Sequence, residues 1–302
     1  MKPFDLQVNG YAGVDFCSSN LTSEKFHFAC RQLADDGVDG ILATLITDQV
    51  DSLVAKLTNM VRLREQDELI RNMVVGFHVE GPFLNLSPGF IGAHEPRYVR
   101  QANPEDAKGL LDAGAGLVKL FTLAPEQDEG GAVTKYLADQ GVTVSAGHCD
   151  PTIDELKTAV DNGLSMVTHF GNGCPVDLPR HDNVLQRFLS FREHLWFCFI
   201  PDGAHIEFFA LKNYLDFVGI DRSIMTTDAI SAARLGSGSH EISSITIEVD
   251  QEGVARRPGS PNLAGSTITM PGIIENLSDQ LGLDDNNILS LVDLNPRIAL
   301  SL

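Results

Sequence analysis

Residues 73–83, MVVGFHVEGPF, carry the pattern that decides the fold. The run Met73–Val79 is almost continuously apolar, and it is followed by the polar Glu80 and the pair Gly81-Pro82. Continuous rather than alternating hydrophobicity is typical of strands that are buried on both faces of a parallel sheet. This segment therefore predicts a central strand whose carboxyl end bears a titratable side chain.

Similar apolar runs recur along the chain and alternate with polar segments of helical period. The runs are Phe4–Val8, Gly40–Ile46, Met73–Val79, Leu117–Leu123, Val142–Ala146, Met166–His169, Leu195–Ile200 and Ile224–Thr227. The helix candidates between them include Ser23–Asp35, Asp51–Glu65, Pro104–Asp112 and Ile153–Asn162. Thr22 and Thr152 stand where N-caps belong. Repeated βα units of this length favour an α/β fold of the (β/α)₈ TIM-barrel type, with a doubly wound open sheet as the alternative.

The pattern changes after the last of these runs. Residues 241–254, EISSITIEVDQEGV, alternate in polarity and turn at Asp250–Gly253, which predicts a β-hairpin insertion after strand 8 of the barrel. The segment from Thr267 onward has amphipathic, helical character. Since no low-complexity linker divides the chain, we expect residues 1–302 to form a single barrel domain.

Charge and cysteine content narrow the class of protein. The 302 residues include 41 acidic and 22 basic ones, for a net charge of −19. Such a surface repels nucleic acid and anionic membranes, because phosphate binding needs clustered Lys and Arg. The odd number of cysteines without a CxxC pair indicates a reducing compartment. The N-terminal MKPFDLQVNG lacks the apolar segment of a signal peptide. We therefore expect a cytoplasmic protein without nucleic-acid or membrane partners.

Ligand-type side chains follow the apolar runs. In a barrel of this kind the carboxyl ends of the strands meet at one rim, where active sites form. The residues at that rim are Gln7, Asn9, His78, Glu80, His148, Thr168, His169, Asp202, His205, Thr227 and Asp228. A Glu, two His and an Asp on four different strands fit an open catalytic metal site with a proton-carrying carboxylate beside it. Zn²⁺ is the first choice, with Fe²⁺, Co²⁺ or Mn²⁺ as alternatives, because imidazole and carboxylate discriminate poorly among them.

Each of these side chains, taken alone, also has a structural explanation. His27, His194 and His240 lie in a helix, before a strand and in a loop, and we interpret them as structural. Asp202 could cap a helix that opens near His205. Four ligand-type residues at corresponding strand ends are harder to explain by packing, because a buried His or Glu without a partner is costly.

Several segments share their motifs and their order with a known family. They are QVNGYAGVDF (7–16), HVEGPFLN (78–85), GAHEPRYVR (92–100), SAGHCD (145–150), THFGNGCP (168–175), IPDGAHIE (200–207), TTDAISAA (226–233), LAGSTITM (263–270) and NP (295–296). In these segments, which cover most of the chain, it resembles the N-acetylglucosamine-6-phosphate deacetylase family of the amidohydrolase superfamily. HVEGPF and LAGSTITM are the most specific of these matches.

The resemblance implies roles for individual positions. Glu80, His148 and His169 resemble the metal ligands, and Asp228 resembles the catalytic acid and base. His94 resembles the His that polarises the scissile acetyl carbonyl. The implied substrate-binding residues are His205, Asn172, Gly173, Arg180, Gln7 and Asn9, with Arg180 in the position of a phosphate-binding Arg. Gln7 and Asn9 stand where two-metal amidohydrolases carry HxH, so the resemblance implies one divalent metal ion.

The chain departs from the family pattern in three places. The family has a small β-sandwich domain built from both chain ends, and this chain is expected to lack it. The segment after His169 is THFGNGC rather than THLxNAM. The family's Lys before the GAH motif and the run after its phosphate-binding Arg are replaced by Gly89-Phe90-Ile91 and RHDN (180–183). The last two changes weaken the phosphate assignment more than the chemistry.

The predicted function is metal-dependent removal of the N-acetyl group from N-acetylglucosamine 6-phosphate, which gives glucosamine 6-phosphate and acetate. One alternative is a deacetylase of an unphosphorylated or different N-acyl substrate. Another is a non-catalytic barrel that binds amino sugars. The resemblance also implies a homodimer, with HEPRYVR (94–100) as a candidate contact.

Overall fold

Eight parallel strands form the main sheet in the computed structural model of the chain, which describes residues 2–242, 245–259 and 262–302. The strands of the structure are β1 (Phe4–Val8), β2 (Gly10–Tyr11), β3 (Val14–Asp15), β4 (Gly40–Ile46), β5 (Val74–Glu80), β6 (Val118–Leu123), β7 (Thr143–Ala146), β8 (Leu164–Val167), β9 (Trp196–Phe199), β10 (Ser223–Met225), β11 (Gly238–Ile242), β12 (Ile245–Val249) and β13 (Ala255–Arg256). The main sheet has the order β1-β4-β5-β6-β7-β8-β9-β10, so neighbours in the sheet are also neighbours along the chain.

Helices connect these strands and cover the outside of the sheet. They are α1 (Ser23–Asp35), α2 (Val50–Gln66), α3 (Glu68–Met73), α4 (Pro104–Ala113), α5 (Ala132–Asp139), α6 (Ile153–Asp161), α7 (Val184–Leu189), α8 (Phe208–Val218), α9 (Met270–Asp279), α10 (Asp285–Leu289) and α11 (Asn295–Ala299). The predicted caps are confirmed: Thr22 accepts from Lys25 N, and Thr152 forms a capping box with Glu155. Apolar helix faces pack on the outward side chains of the strands and form the main core.

The sheet closes on itself through β1 and the end of β10. Val8 and Ala229 form a parallel bridge, and the backbone N–H groups of Asn9 and Gly10 both donate to Ala229 O. Beneath this bridge the buried carboxylate of Asp5 accepts from the hydroxyls of Thr226 (2.6 Å) and Thr227 (2.5 Å). The predicted (β/α)₈ TIM barrel is thereby confirmed over the open-sheet alternative, since an open sheet would leave these edges apart.

The barrel interior is layered. Leu6, Leu42, Leu120, Met166 and Ile224 belong to a buried apolar cluster that is separate from the core under the helices. Two residues further along four of these strands, at Thr44, Thr122, Thr168 and Thr226, the interior becomes polar, since side chains two apart share a face of a strand. There a hydrogen-bonded chain runs from His78 Nε2 to Thr122 Oγ1 (2.8 Å), to Thr168 Oγ1 (2.7 Å) and to Ser145 Oγ (2.6 Å). This polar layer directly precedes the carboxyl ends of the strands.

An antiparallel arm follows β10. We use this name for β11, β12 and β13, which pair in that order, with β12 and β13 joined by a turn at residues 250–254. Ile247, Val249 and Ala255 of the arm pack on Ala232 and Ala264. The predicted hairpin over 241–254 falls partly on Ser243 and Ser244, which lie outside the described residues.

Two expectations concern the environment of the protein. In the described parts of the chain, no helix combines the length and the apolar character that crossing a membrane requires. The cysteines Cys17, Cys30, Cys149, Cys174 and Cys198 are all free thiols. The cytoplasmic location remains a prediction.

Replacing Asp5 with Ala should destabilise the barrel at its seam. The hydroxyls of Thr226 and Thr227 and the backbone N–H of Gln7 would lose their buried acceptor. We expect a loss of about 2–4 kcal/mol in the free energy of unfolding, the cost of leaving buried donors unpaired. Denaturant unfolding followed by circular dichroism measures it.

The matched control is Asp139→Ala, which removes an exposed carboxylate paired with Lys135 at i,i+4. Such a change should cost no more than about 0.5 kcal/mol. Equal stability of the Asp5 and Asp139 variants would contradict the seam role of Asp5.

Candidate active site

A cavity of about 610 Å³ opens at the carboxyl ends of the barrel strands. Its floor includes Asn9, Glu80, His148, His169 and Asp228, each at or just after the end of a different strand. Its walls come from residues 89–94, from residues 171–178 and from the arm with the segment 262–265. The volume is in the range of small-molecule sites. The strand ends that the sequence pointed to therefore do share one cavity.

Glu80, His148 and His169 converge on one point. Glu80 Oε1 lies 3.1 Å from His169 Nε2 and 3.2 Å from His148 Nε2, and the two Nε2 atoms are 3.1 Å apart. All three side chains are buried. Ligand atoms that sit about 2.0–2.2 Å from a tetrahedral metal ion lie roughly 3.3 Å from one another. The cluster therefore has the spacing and the donor types of a divalent metal site.

The protonation of these groups suits metal binding as well. His148 Nδ1 donates to Phe90 O over 2.8 Å, which turns Nε2 toward the cluster. Burial acts to raise the pKa of Glu80, yet the two imidazoles against its carboxylate hold that pKa well below its usual range. Glu80 is thus an ionised carboxylate at neutral pH, and its negative charge would stabilise a cation bound between it and the two imidazoles.

His94 lies beside the cluster without belonging to it. Its Nε2 is 3.8 Å from Glu80 Oε1, and its ring meets the His148 ring edge-on with the centroids 4.3 Å apart. Burial, reinforced by His148, lowers the pKa of His94 to about 3. His94 is therefore a neutral imidazole at pH 7, and it can donate an N–H into the cavity without carrying charge.

Two side-chain amides, one in β1 and one just after it, donate hydrogen bonds to the two acids of the site. Gln7 Nε2 donates to Glu80 Oε2 over 3.2 Å, and Asn9 Nδ2 donates to Asp228 Oδ1 over 2.6 Å. Burial, and then the negative charge of Glu80, raise the pKa of Asp228 to about 7. A carboxyl that titrates near neutrality can both accept and return a proton under physiological conditions.

The backbone is strained at the residues that point into the floor. His148, His169 and Asp228 have positive φ values of 51°, 33° and 48°. This left-handed region costs a non-glycine residue on the order of 1–3 kcal/mol, and strain of this kind clusters at functional sites. Glycines flank the His148 ring, since a Cβ on Gly92 would lie 2.7 Å from it and one on Gly173 3.0 Å.

His205 is held by Asp202. Asp202 Oδ2 lies 2.6 Å from His205 Nδ1 and accepts from Ser266 Oγ, while Oδ1 accepts from the backbone N–H groups of Ala204 and His205. Asp202 therefore fixes a turn and orients His205; it does not cap α8, which begins at Phe208. The other His205 nitrogen remains available to a ligand in the cavity.

The remaining predicted substrate residues divide into two groups. Asn172 and Gly173 line the cavity, and Asn172 Nδ2 is a buried donor that has no hydrogen-bond partner among the described residues. Arg180 is exposed and is not among the described residues that line the cavity. Gln7 does not line it either, because it is fully buried beneath Glu80. Its contact with Glu80 suggests positioning rather than substrate binding.

The structure also adds cavity residues that the sequence reasoning missed. Asp15 is the last residue of β3, Cys17 lies two residues later, and both line the cavity. Arg257 reaches the mouth from the arm, six residues before the LAGSTITM segment. Only the proximity of Arg257 to that specific motif could have drawn attention to it.

No model of a known protein family matches the chain.

Several curated proteins are similar to the chain over most of its length. An N-acetylglucosamine-6-phosphate deacetylase of Bacillus subtilis (strain 168) is 28% identical over 270 residues, 88% of this chain and 66% of the relative. That of Bos taurus is 27% identical and covers 99% of this chain and 73% of its own length. An N-acetylgalactosamine-6-phosphate deacetylase of Escherichia coli O157:H7 is 26% identical over 99% of this chain and 77% of its length. The chain thus spans about two thirds to three quarters of these relatives.

Solved structures give the same result. An N-acetyl-D-glucosamine-6-phosphate deacetylase of Mycobacterium smegmatis, an Asp-to-Ala variant in complex with N-acetyl-D-glucosamine-6-phosphate, superposes with a TM-score of 0.89 at 27% identity. The match covers 100% of this chain and 77% of that one. The enzyme of the same name from Pasteurella multocida has a TM-score of 0.86 at 26% identity, over 99% of this chain and 76% of that one.

We expect the Glu80–His148–His169 cluster to bind a divalent transition metal. Because the cluster supplies all the ligands, His148→Ala and His169→Ala should each lose most of the metal after dialysis. His181→Ala, which removes an exposed imidazole, is the control and should retain it. Elemental analysis by plasma mass spectrometry measures the metal content, and full retention in the double variant His148→Ala/His169→Ala would contradict the site.

Proposed function

Because the chain is a homologue of the N-acetylglucosamine-6-phosphate deacetylases of the amidohydrolase superfamily, we propose that it hydrolyses the N-acetyl group of N-acetylglucosamine 6-phosphate. The products are glucosamine 6-phosphate and acetate. The observation that carries the proposal is the convergence of Glu80, His148 and His169 at the floor of a cavity that Asp228 also lines. We further propose that residues 1–302 act as one barrel domain.

One divalent ion, with Zn²⁺ first and Fe²⁺, Co²⁺ or Mn²⁺ as alternatives, would be held by Glu80, His148 and His169. Such an ion polarises a carbonyl and makes water acidic enough to attack it at neutral pH. The residues fit this role because their ligand atoms are mutually within 3.2 Å and the Glu80 carboxylate is ionised.

Asp228 moves the proton. In its ionised form it takes a proton from the water that attacks the acetyl carbonyl carbon. When the C–N bond breaks, the same carboxyl returns this proton to the leaving amine, so that one group serves as base and then as acid. Its pKa near 7 suits both steps, and the hydrogen bond from Asn9 fixes the direction of its carboxylate.

His94 stabilises the charge that develops on the carbonyl oxygen. As the water adds, this oxygen becomes an oxyanion, and a preorganised N–H donor favours that state over the planar amide. His94 is neutral and buried, and its Nε2 lies 3.8 Å from Glu80 Oε1. It can therefore donate to the oxyanion without being one of the metal ligands.

The sugar would be held by the cavity walls. We propose that His205 and the unpartnered amide of Asn172 bind ring hydroxyls, and that Gly173 lets the chain approach the ligand closely. Arg180 is exposed outside the cavity of its own chain. A phosphate contact by Arg180 would therefore need the homodimer, in which the loop of one protomer meets the cavity of its partner.

Acetate release is the direct assay. Metal-loaded protein should release acetate from N-acetylglucosamine 6-phosphate, detected by a coupled acetate assay. N-acetylgalactosamine 6-phosphate belongs in the same series, because a relative named for that substrate covers 99% of this chain. If protein with full metal content releases acetate from none of these sugars, the deacetylase proposal fails and the sugar-binding alternative takes its place.

Asp228→Asn should abolish turnover while leaving metal content near that of the wild type. The variant keeps the hydrogen-bonding shape but cannot accept a proton, so kcat should fall roughly 10²- to 10⁴-fold. Asp139→Asn, on the exposed face of α5, serves as the control. Near-normal turnover by the Asp228 variant would refute its role as the proton carrier.

A further inference from the structure

A single cationic side chain stands at the mouth of the cavity. Among the described residues that line it, Arg257 is the only Lys or Arg. Arg257 follows β13 directly, is exposed, and donates from Nη2 to Ala93 O over 3.0 Å. Ala93 is the neighbour of His94, which lies 3.8 Å from Glu80. The guanidinium therefore contacts the residue next to His94 and belongs to the wall of the cavity rather than to its floor.

The guanidinium of Arg257 is not neutralised by the described part of the chain. No carboxylate there forms an ion pair with it, and the Ala93 contact uses only one of its five N–H donors. The adjacent Arg256 differs, since its Nη1 is 3.2 Å from Asp250 Oδ2 and it does not line the cavity. Two neighbouring arginines thus have different surroundings, and only one is free to meet an anion in the cavity.

The rest of the cavity would repel an anion. Glu80, Asp15 and Asp228 line it, and the whole chain carries a net charge of −19. A phosphate monoester that enters such a space needs a compensating cation, and a guanidinium fork matches phosphate oxygens in charge and geometry. In an N-acetylhexosamine 6-phosphate the phosphate and the acetamide project from opposite sides of the ring. With the acetamide at the metal cluster, the phosphate lies toward the mouth.

We propose that Arg257 of the arm binds the substrate phosphate within the same chain and sets the preference for phosphorylated over free amino sugar. This inference rests on the proposed deacetylase function. It assigns the phosphate contact to the arm rather than to Arg180. Arg257 already joins the end of the arm to the 89–94 segment through Ala93 O, so the phosphate would bind where these two walls of the cavity meet.

A purely structural role for Arg257 makes a different prediction. If its bond to Ala93 O only holds the segment that bears His94, its loss would disturb catalysis with every substrate. Phosphate binding affects only the phosphorylated one. The ratio of kcat/KM for N-acetylglucosamine 6-phosphate to that for N-acetylglucosamine therefore separates the two roles.

The experiment measures this ratio in the metal-loaded wild type and in Arg257→Ala, Arg257→Lys, Arg256→Ala and Arg180→Ala. For Arg257→Ala we expect kcat/KM to fall on the order of 10- to 100-fold with the phosphorylated sugar, mainly through a higher KM. A fall of this size corresponds to the loss of one charge-assisted hydrogen bond. The value for the free sugar should stay within about twofold. Arg257→Lys should recover part of the loss, and Arg256→Ala should match the wild type.

An equal fall with both sugars, which leaves the ratio unchanged, would assign Arg257 a structural role and overturn the proposal. Unchanged kinetics in Arg257→Ala, or a selective loss in Arg180→Ala alone, would also overturn it. If the wild type hydrolyses neither sugar, the deacetylase proposal has failed independently. Calorimetric titration of N-acetylglucosamine 6-phosphate and of inorganic phosphate then decides the question. Weaker binding to Arg257→Ala than to Arg256→Ala supports phosphate binding by Arg257. Equal binding to the wild type and both variants, or no binding to any of them, rejects it.

Discussion

The contact of one buried carboxylate with two imidazoles is the interaction on which the site depends. Glu80 has both oxygens committed, Oε1 to the nitrogens of His148 and His169 and Oε2 to the amide of Gln7. A buried carboxylate without such partners would cost several kcal/mol or would take up a proton. These contacts keep it ionised, and its negative charge in turn raises the pKa of Asp228. The reactivity of the site thus follows from how Glu80 is surrounded.

Holding these groups together requires backbone conformations that an ordinary strand end does not adopt. His148, His169 and Asp228 leave their strands in the left-handed region, and this turns their side chains toward the barrel axis. The closed barrel makes the strain tolerable, because the seam from Asp5 to Thr226 and Thr227 and the hydroxyl chain in the interior fix the strands below. Stability stored in the lower barrel therefore offsets strain at its rim.

Much of this could be predicted from the sequence. Apolar runs placed β1 and β4 at their observed bounds, and the polar residues after the runs pointed to Glu80, His148, His169 and Asp228. Two contacts could not be predicted. The sequence does not reveal that the amides of Gln7 and Asn9 donate to Glu80 and Asp228, because these contacts depend on side-chain direction at the closing seam. Arg180 and Arg257 lie in irregular segments, where sequence spacing does not determine position in space.

The floor and the walls of the cavity are therefore held in place by different parts of the structure. Its floor consists of strand ends held by the barrel, where a small displacement of Glu80 or Asp228 would break contacts of about 3 Å. Its walls consist of residues 89–94, 171–178 and the arm, which lie outside the barrel strands and line the rest of the cavity. Relatives named for N-acetylglucosamine 6-phosphate and for N-acetylgalactosamine 6-phosphate match this chain to nearly the same degree. The two sugars differ only in the configuration of one hydroxyl and share the same amide. Under the proposed function, discrimination between them would therefore lie in the walls, while the floor could serve both.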